Sequence, residues 1–246
     1  MENKLEIIGF NIESCLAAQE GGADRIELCV SPQEGGTTPS YGFIKSAREK
    51  LHIKLYTMIR PRGGDFLYND NDFEIMKRDI AFCKKSGCDG IVTGILNQDG
   101  KVDKNRCREL IKLAYPLEAT FHRAFDRVDN PLEALEDVID LGFEKILTSG
   151  LNTKAIESTA LLADLIKKAD GRITIMPGSG VNSENIISIA ESTGAKEFHS
   201  SASILKESKM EYINPKLNES LNHISVNKEE VKKMKELLNQ FRKYEE

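Results

Sequence analysis

The residues of this chain best suited to chemistry come at the C-terminal ends of short apolar runs. They are Glu27, Cys29, Arg60, His122, Asp126 and His199. Carboxylates and histidines are the usual general acids and bases of enzymes, and arginine binds carboxylate and phosphate groups. In a parallel barrel the C-terminal ends of the strands meet at one face, where active sites lie. The sequence therefore predicts one pocket that these side chains share.

Side-chain alternation along each strand indicates which residues face the barrel interior. In the second predicted strand the aliphatic residues face the helices, so Glu27 and Cys29 face inward. The same alternation directs Arg60, His122 and His199 inward from three other strands. A buried Arg–Glu pair can also be purely structural. The sequence therefore leaves open whether Glu27 and Arg60 serve chemistry or stability.

A second set of residues predicts an anion site at the same face. Glycine lets backbone N–H groups approach an anion, and serine hydroxyl groups add donors. Many barrels hold phosphate in the loops after strands seven and eight. The set consists of Arg62, Gly178, Ser179, Gly180, Ser200 and Ser201. With Arg60, these residues predict binding of a small anion that carries a phosphate or carboxylate group.

Eight short aliphatic or aromatic runs alternate with segments of helical spacing. The runs cover residues 5–9, 25–28, 53–59, 90–93, 117–121, 145–148, 173–176 and 197–199. Parallel strands joined by helices require this alternation, which predicts a TIM (β/α)8 barrel in a single domain over residues 1–246. An open doubly wound sheet is the alternative. Such a sheet usually has a glycine-rich turn after its first strand, and here Phe10, Asn11 and Ile12 follow instead.

The C-terminal part departs from the barrel repeat. Residues 203–225 are polar and predict irregular structure. Apolar residues then recur at helical spacing behind Asn227, with Glu230 three residues on, as in a capping box. The apolar residues are Val231, Met234, Leu237, Leu238 and Phe241. We expect residues 203–246 to form an extension whose helix closes the barrel or joins a subunit interface.

Composition argues against several classes of partner. The chain has 34 basic and 39 acidic residues and a net charge of -5, without basic clusters, so we expect no nucleic-acid partner. It has no basic leader and no long apolar stretch, which predicts neither secretion nor a membrane partner. The five cysteines are an odd number. They therefore favour reduced thiols and a cytoplasmic location.

Seven motifs together resemble the copper homeostasis protein CutC family. They are Glu27-Leu28-Cys29 and residues 34–40 (EGGTTPS), 58–66 (MIRPRGGDF), 92–94 (VTG), 120–126 (TFHRAFD), 147–150 (LTSG) and 199–202 (HSSA). The resemblance covers residues 4–202. It implies a TIM barrel, a cytoplasmic location, a homo-oligomer and a role in copper handling through binding of copper(I).

Copper(I), written Cu(I) below, prefers thiolate and thioether ligands. Cys29 is the cysteine predicted to face inward, and it is therefore the expected metal ligand. Several members of the family place a second cysteine on the first strand, where this chain has Ile8. Met58 also faces the interior, where methionine usually fills the core.

Two functions of different classes stay open. The first is a copper homeostasis protein that binds Cu(I) at Cys29. The second is an enzyme in which Glu27, His122 or Asp126 performs acid–base chemistry on a small anionic substrate. No motif in the sequence identifies a reaction.

Overall fold

A barrel of eight parallel strands forms the centre of the molecule. The computed structural model describes the backbone of residues 3–245 and the side chains of residues 3–241. The strands are β1 Lys4–Gly9, β2 Arg25–Leu28, β3 Lys54–Met58, β4 Gly90–Thr93, β5 Glu118–Phe121, β6 Lys145–Thr148, β7 Thr174–Pro177 and β8 Glu197–Ser200. All eight predicted runs are strands, with bounds that differ by at most one residue. The predicted TIM barrel is confirmed.

The strands pair in the order β7-β6-β5-β4-β3-β2-β1-β8. Strand β1 lies between β2 and β8, so that Glu6 is opposite both Arg25 and His199. Strands β7 and β8 meet at a seam, and there Gly178 lies beside His199. A Cβ atom at Gly178 would come within 2.4 Å of Leu147 and 3.3 Å of His199. Only glycine therefore fits at this point of closure.

Helices connect the strands and cover the barrel. They are α1 Ile12–Glu20, α2 Tyr41–Lys50, α3 Asp70–Lys85, α4 Lys104–Ala114, α5 Pro131–Asp140, α6 Thr159–Ala169, α7 Ile186–Thr193 and α8 Lys228–Glu245. Several begin at a side chain that accepts a hydrogen bond from the first turn, which stabilises a helix N-terminus. These capping residues are Asn11, Ser40, Asn69, Asp103 and Asn130. Pro131 occupies the first turn of α5, where its missing N–H group is tolerated.

Two apolar clusters stabilise the barrel. The larger one lies between strands and helices and contains outward side chains such as Ile26, Phe121 and Phe198, which are all 0 % exposed. The smaller one lies inside the barrel and consists of Ile8, Phe10, Cys29, Tyr56, Met58 and Val92. The separation agrees with the alternation read from the sequence. No helix in the described part of the chain is long and apolar enough to cross a membrane.

The segment after β8 is more ordered than predicted. It contains two short antiparallel strands, β9 Ser203–Lys206 and β10 His223–Val226. The prediction of irregular structure was therefore wrong for residues 203–206 and 223–225, whereas residues 207–222 form no helix or strand. Each strand has only four residues, and the connection between them is long, so no tight-turn sequence marks the pair.

Helix α8 begins at Asn227, as predicted. The Asn227 side chain accepts hydrogen bonds from the backbone N–H groups of Glu229 and Glu230 at 3.0 and 3.3 Å. The Glu230 carboxylate, however, accepts from the backbone and hydroxyl groups of Ser183. Glu230 therefore ties α8 to the loop before α7 and does not complete a capping box.

Candidate functional site

A cavity of about 470 Å³ lies at the C-terminal end of the barrel. Its walls include Glu27, Cys29, Arg60, His122 and His199, which the sequence predicted to meet. Each of these residues is at most 5 % exposed. Small-molecule pockets have volumes of about 300–1,000 Å³. The cavity therefore has the size of a ligand site, and its polar groups are shielded from bulk water.

His199 lies between two buried carboxylates. Its Nδ1 atom is 2.7 Å from Oε1 of Glu6, and its Nε2 atom is 3.8 Å from Oε2 of Glu27. Burial opposes protonation, but the two carboxylates outweigh burial and raise the pKa of His199. Burial also raises the pKa of Glu27 to about 7, against the attraction of His199. Both shifts favour the protonated form of each group.

Glu6 was absent from the predicted site. Its inward orientation follows from the same alternation that directs Ile8 inward, so the signal was present in the sequence. Burial opposes ionisation of Glu6, but Arg25 and His199 together outweigh burial and lower the pKa of Glu6 to about 2. Glu6 is therefore the permanent negative charge of this group.

Arg25 connects Glu6 to a layer of ionic side chains below the cavity. Its Nε atom donates to Glu6 at 2.5 Å, its Nη2 atom donates to Glu197 at 2.8 Å, and its guanidinium lies 4.8 Å from the centroid of the Tyr56 ring. The Tyr56 hydroxyl in turn donates to Glu118.

Lys145 completes this layer by donating to Glu118 at 2.6 Å. We call the set the ion layer; it comprises Glu6, Arg25, Tyr56, Glu118, Lys145 and Glu197. Its members come from six inward-facing strand positions, so the ion layer fills the barrel beneath the cavity.

Glu6, Glu27 and His199 each offer one ligand atom, and these atoms lie within 4.8 Å of one another. Oxygen and imidazole donors suit Zn²⁺ or Mn²⁺ better than Cu(I). The oxygens of Glu6 already accept from Arg25 and His199. Glu6 and His199 are therefore already paired without a metal ion, with Arg25 as the second partner of Glu6.

Cys29 and Met58 bring two soft sulfur atoms to the cavity wall. The β2–β3 register pairs Leu28 with Thr57, so the next two residues, Cys29 and Met58, are neighbours. A Cβ atom at Gly36 would be 3.1 Å from Cys29 Sγ and 3.6 Å from Met58 Cε. Burial raises the pKa of the Cys29 thiol well above its usual range, and Glu27 adds to this effect. The thiol therefore stays protonated until a cation replaces the proton.

Arg60 holds two loops and makes no ion pair with Glu27 among the described residues. Its Nη1 atom donates to the carbonyls of Glu34 and Gly36 at 2.6 and 2.8 Å, and Nη2 donates to that of Gly64 at 2.9 Å. Its Nε atom is buried and has no partner in the described part of the chain. Arg60 thus shapes the cavity wall, and its Nε–H group is not used by any described residue.

His122 presents a neutral N–H donor. Its Nδ1 atom accepts a hydrogen bond from the backbone of Ala124 at 3.2 Å, which places the proton on Nε2. Burial, with the positive charge of Arg60, lowers the pKa of His122 to about 3. The Nε2 atom is buried and has no partner among the described residues. His122 is therefore suited to donate to a ligand oxygen.

Asp126 lines the cavity, but its carboxylate is engaged by the loop after β6. It accepts from the Thr148 hydroxyl at 2.5 Å, from the backbone and hydroxyl of Ser149 at 3.0 and 2.9 Å, and from the Leu151 backbone at 3.2 Å. Arg123 Nε donates to it at 2.7 Å. The geometry supports loop anchoring by Asp126 more than acid–base chemistry.

Only some of the residues predicted to bind an anion lie at the cavity. Arg62 is outside the cavity and pairs with Asp65 and Asp72. The Ser200 hydroxyl donates to the Val181 carbonyl at 2.6 Å, behind the barrel wall. Gly178 serves the closure of the barrel. These three predicted anion contacts are therefore not provided by the cavity.

The remaining three predicted residues, Ser179, Gly180 and Ser201, line the cavity. Arg123 and Arg127 line it too, and the sequence did not single them out as ligands. Both belong to the short 3₁₀ helix Arg123–Arg127 after β5. They follow β5 outside the strand alternation that indicated the inward residues, so only their position next to His122 could have indicated this role.

The family model and the most similar relatives in the comparison with known proteins agree on one family. The sequence model of the CutC family matches residues 3–204. A family protein CutC from Chromobacterium violaceum is 50% identical over 212 residues, which cover 86% of this chain and 86% of that protein. The human copper homeostasis protein cutC homolog is 46% identical over 210 residues, which cover 85% of this chain and 77% of that protein.

Solved structures agree with the sequence matches. A copper homeostasis protein CutC from Streptococcus agalactiae is similar with a TM-score of 0.78 and 35% identity, over 81% of this chain and 98% of that chain. Phosphoribosyl anthranilate isomerase from Thermotoga maritima is similar with a TM-score of 0.61 and 12% identity, over 98% of this chain and 100% of that chain. The second likeness shows the barrel fold alone.

Proposed function

Because this chain belongs to the CutC family, we propose that it serves copper homeostasis by binding Cu(I) in the barrel cavity. The observation that carries the proposal is the adjacency of Cys29 and Met58 on β2 and β3. A thiolate and a thioether are soft ligands of the kind that bind Cu(I), whereas Mg²⁺ prefers oxygen ligands. Copper is the cargo in this proposal, and Cys29 is its principal ligand.

Met58 is the expected second sulfur ligand in this proposal, because the first strand carries no thiol. Ile8 lines the cavity where several family members have a second cysteine. Met58 is the neighbouring sulfur donor on the opposite side of Cys29. Since the Cys29 thiol is protonated before binding, Cu(I) displaces one proton. Affinity should therefore rise with pH.

A competition titration against a Cu(I) chelator, under anaerobic reducing conditions, tests this proposal. Cys29→Ser should abolish competition, and Met58→Leu should weaken it. Cys107→Ala is the matched control, because Cys107 is a buried thiol of α4 outside the cavity. Circular dichroism verifies that each variant is folded. Equal competition by wild type and Cys29→Ser would exclude Cys29 as the ligand.

Acid–base catalysis is a second candidate function. The observation that favours it is the Glu27 carboxyl, whose pKa burial raises to about 7 and whose Oε1 atom has no partner among the described residues. A general acid or base is most effective when its pKa is near the working pH. The substrate expected is a small anionic molecule that fills the cavity.

Deuterium incorporation tests the second candidate. Wild-type protein is incubated in D₂O with a panel of sugar phosphates and 2-keto acids, and exchange of carbon-bound hydrogen is followed by proton NMR. Wild type should catalyse exchange in one member of the panel, and Glu27→Gln should not. No exchange by wild type, or equal exchange by both proteins, contradicts a catalytic Glu27.

We also propose a cytoplasmic location and self-association. All five cysteines are unpaired, which suits a reducing compartment. The segment between β9 and β10 exposes several large apolar side chains, which suit contact with a second copy. They are Met210, Tyr212, Ile213, Leu217 and Leu221. Light scattering after gel filtration should give a mass above that of one chain.

A further inference from the structure

We propose that the cavity binds a sugar phosphate, whose hydroxyl or carbonyl oxygens meet Glu27, Arg60 and His122 and whose phosphate meets Arg127 at the mouth. The proposal names the substrate class of the second candidate function and rests on it for what happens to the ligand. Binding itself requires neither turnover nor copper. An experiment can therefore distinguish a failure of sugar phosphate binding from a failure of catalysis.

Three unpartnered polar atoms define the inner part of this site. They are Oε1 of Glu27, Nε of Arg60 and Nε2 of His122. Each residue is at most 4 % exposed, and all three line the same cavity. Buried polar groups are nearly always paired in folded proteins, because an unpaired one is unfavourable. Three of them around one cavity indicate a ligand that supplies their partners.

The chemistry of these atoms indicates the ligand. His122 and Arg60 each offer an N–H donor, whereas Glu27 accepts when ionised and donates when protonated. A hydroxyl group both donates and accepts, and a carbonyl oxygen accepts from two donors. A chain of hydroxyl and carbonyl groups therefore pairs with all three atoms. A purely apolar ligand would leave them unpaired.

The cavity mouth supplies the positive charge. Arg127 is exposed, lines the cavity, and has no hydrogen bond or ion pair to any residue that the structure describes. Arg123 uses Nε for Asp126 and Nη2 for Ser149, so part of its guanidinium stays available. The paired N–H groups of an arginine guanidinium can donate two hydrogen bonds to two oxygens of one phosphate group.

The turn after β7 faces the same space. Ser179 and Gly180 line the cavity in left-handed conformations, with φ of 76° and 73°. Successive N–H groups in such turns form concave anion sites. The carboxylates at this end are Glu34 and Asp126, and the oxygens of Asp126 are already occupied by the β6 loop. Arg127 is therefore the cation most available to a phosphate.

The apolar walls complete the fit. Ile8, Phe10 and Leu147 line the cavity between its polar groups. They can contact the C–H surface of a sugar. The volume of about 470 Å³ accommodates a five- or six-carbon sugar phosphate.

Isothermal titration calorimetry at constant ionic strength tests the proposal with D-ribose 5-phosphate, D-fructose 6-phosphate, D-ribose and inorganic phosphate as probes. Wild type should bind a sugar phosphate saturably and at least about tenfold more tightly than D-ribose or phosphate, since each lacks one set of contacts. Absence of binding by both sugar phosphates overturns the proposal. Equal affinity for inorganic phosphate and sugar phosphate overturns the sugar-binding part.

Variants assign the contacts. Arg127→Ala should weaken sugar phosphate binding about tenfold and leave D-ribose binding unchanged. Arg108→Ala is the matched control, because Arg108 is an exposed arginine of α4 outside the cavity. His122→Leu should weaken both sugar phosphate and ribose, and His122→Gln should restore part of the affinity through its amide N–H. Wild-type affinity in Arg127→Ala or in His122→Leu contradicts the assigned contacts.

Cys29→Ser separates this site from copper binding. The variant should lose Cu(I) and keep sugar phosphate affinity. If sugar phosphate binds and deuterium exchange is absent, the second candidate function fails while the binding site stands. If neither sugar phosphate binds while Cu(I) binding depends on Cys29, the binding site alone is refuted.

Discussion

The Glu6 carboxylate lies 2.7 Å from Nδ1 of His199, and this contact orients the other ring nitrogen toward Glu27. Glu6 is in turn fixed by Arg25. The order Arg25, Glu6, His199, Glu27 is therefore a chain of alternating charge when His199 is protonated. At its upper end it places a carboxyl group of raised pKa on the cavity wall.

This row of buried charged groups predicts that the free energy of unfolding falls as the pH rises from about 5 to 8. The pKa of Glu27 rises from 4.5 to about 7 on folding, so the folded state holds a proton that the unfolded state has released. The stabilisation is present below pH 4.5 and is lost as the pH passes 7. The raised pKa of His199 acts in the same direction above about pH 6.5.

Glu27→Gln should therefore flatten this pH dependence. The difference between the two proteins should change by on the order of 2 to 3 kcal/mol from pH 5 to pH 8, measured by urea unfolding. Glu34→Gln, a carboxylate replacement at the cavity mouth, is the control. An unchanged slope in Glu27→Gln would show that Glu27 does not titrate in this range.

Arg25→Met should destabilise the protein strongly. Arg25 is 3 % exposed and compensates Glu6 and Glu197, so its removal leaves buried negative charge. Breaking a buried pair from one side costs about 3 to 5 kcal/mol. Arg172→Met removes an exposed arginine paired with Glu136 and should have little effect on urea unfolding. Equal losses in the two variants would contradict a special role for the ion layer.

Gly36→Ala should impair Cu(I) binding beyond its effect on stability. Gly36 has φ of 93°, and an added Cβ would lie 3.1 Å from Cys29 Sγ. Gly142→Ala is a matched control, since Gly142 has φ of 85° and no atom lies within 4 Å of an added Cβ. Both variants should lose about 1 to 2 kcal/mol of stability from the left-handed backbone. Only Gly36→Ala should weaken Cu(I) in the chelator competition, and an equal loss of Cu(I) in Gly142→Ala would contradict the site.

Asp126→Ala should lower stability by about 2 kcal/mol or more, because the donors of Thr148, Ser149 and Leu151 lose their acceptor. Asp126→Asn keeps one acceptor oxygen and should recover part of the loss. Thermal unfolding measures both. A wild-type melting temperature in Asp126→Ala would show that the loop does not depend on this anchor.

The strands were predictable because each is a short aliphatic run with alternating inward residues. The same alternation predicted that Glu27, His122 and His199 face one interior. Applied to β1 it also indicates Glu6, and applied to β8 it directs Ser200 outward, as the structure has it. Strand alternation therefore contains the positions of both Glu6 and Ser200, although the predicted site omitted Glu6 and included Ser200.

Other features had no comparable signal. Arg62 lies in a loop and Arg127 ends a short 3₁₀ helix, and at neither position does strand alternation indicate the direction of the side chain. Arg62 pairs with Asp65 and Asp72 and so turns away from the cavity. The short pair β9 and β10 depends on pairing between residues far apart in sequence. Local patterns cannot supply such information.

The ion layer closes the interior of the barrel beneath the cavity. Tyr56 and Arg25 are almost inaccessible to solvent, so solutes do not pass through the barrel from one end to the other. Solutes that reach Cys29 or His122 therefore enter at the C-terminal end of the barrel, where Arg127 lines the cavity. Taken together, the two proposals mean that an organic anion bound beside Arg127 would slow the exchange of copper without touching Cys29. The rate of copper exchange would then depend on the concentration of that anion.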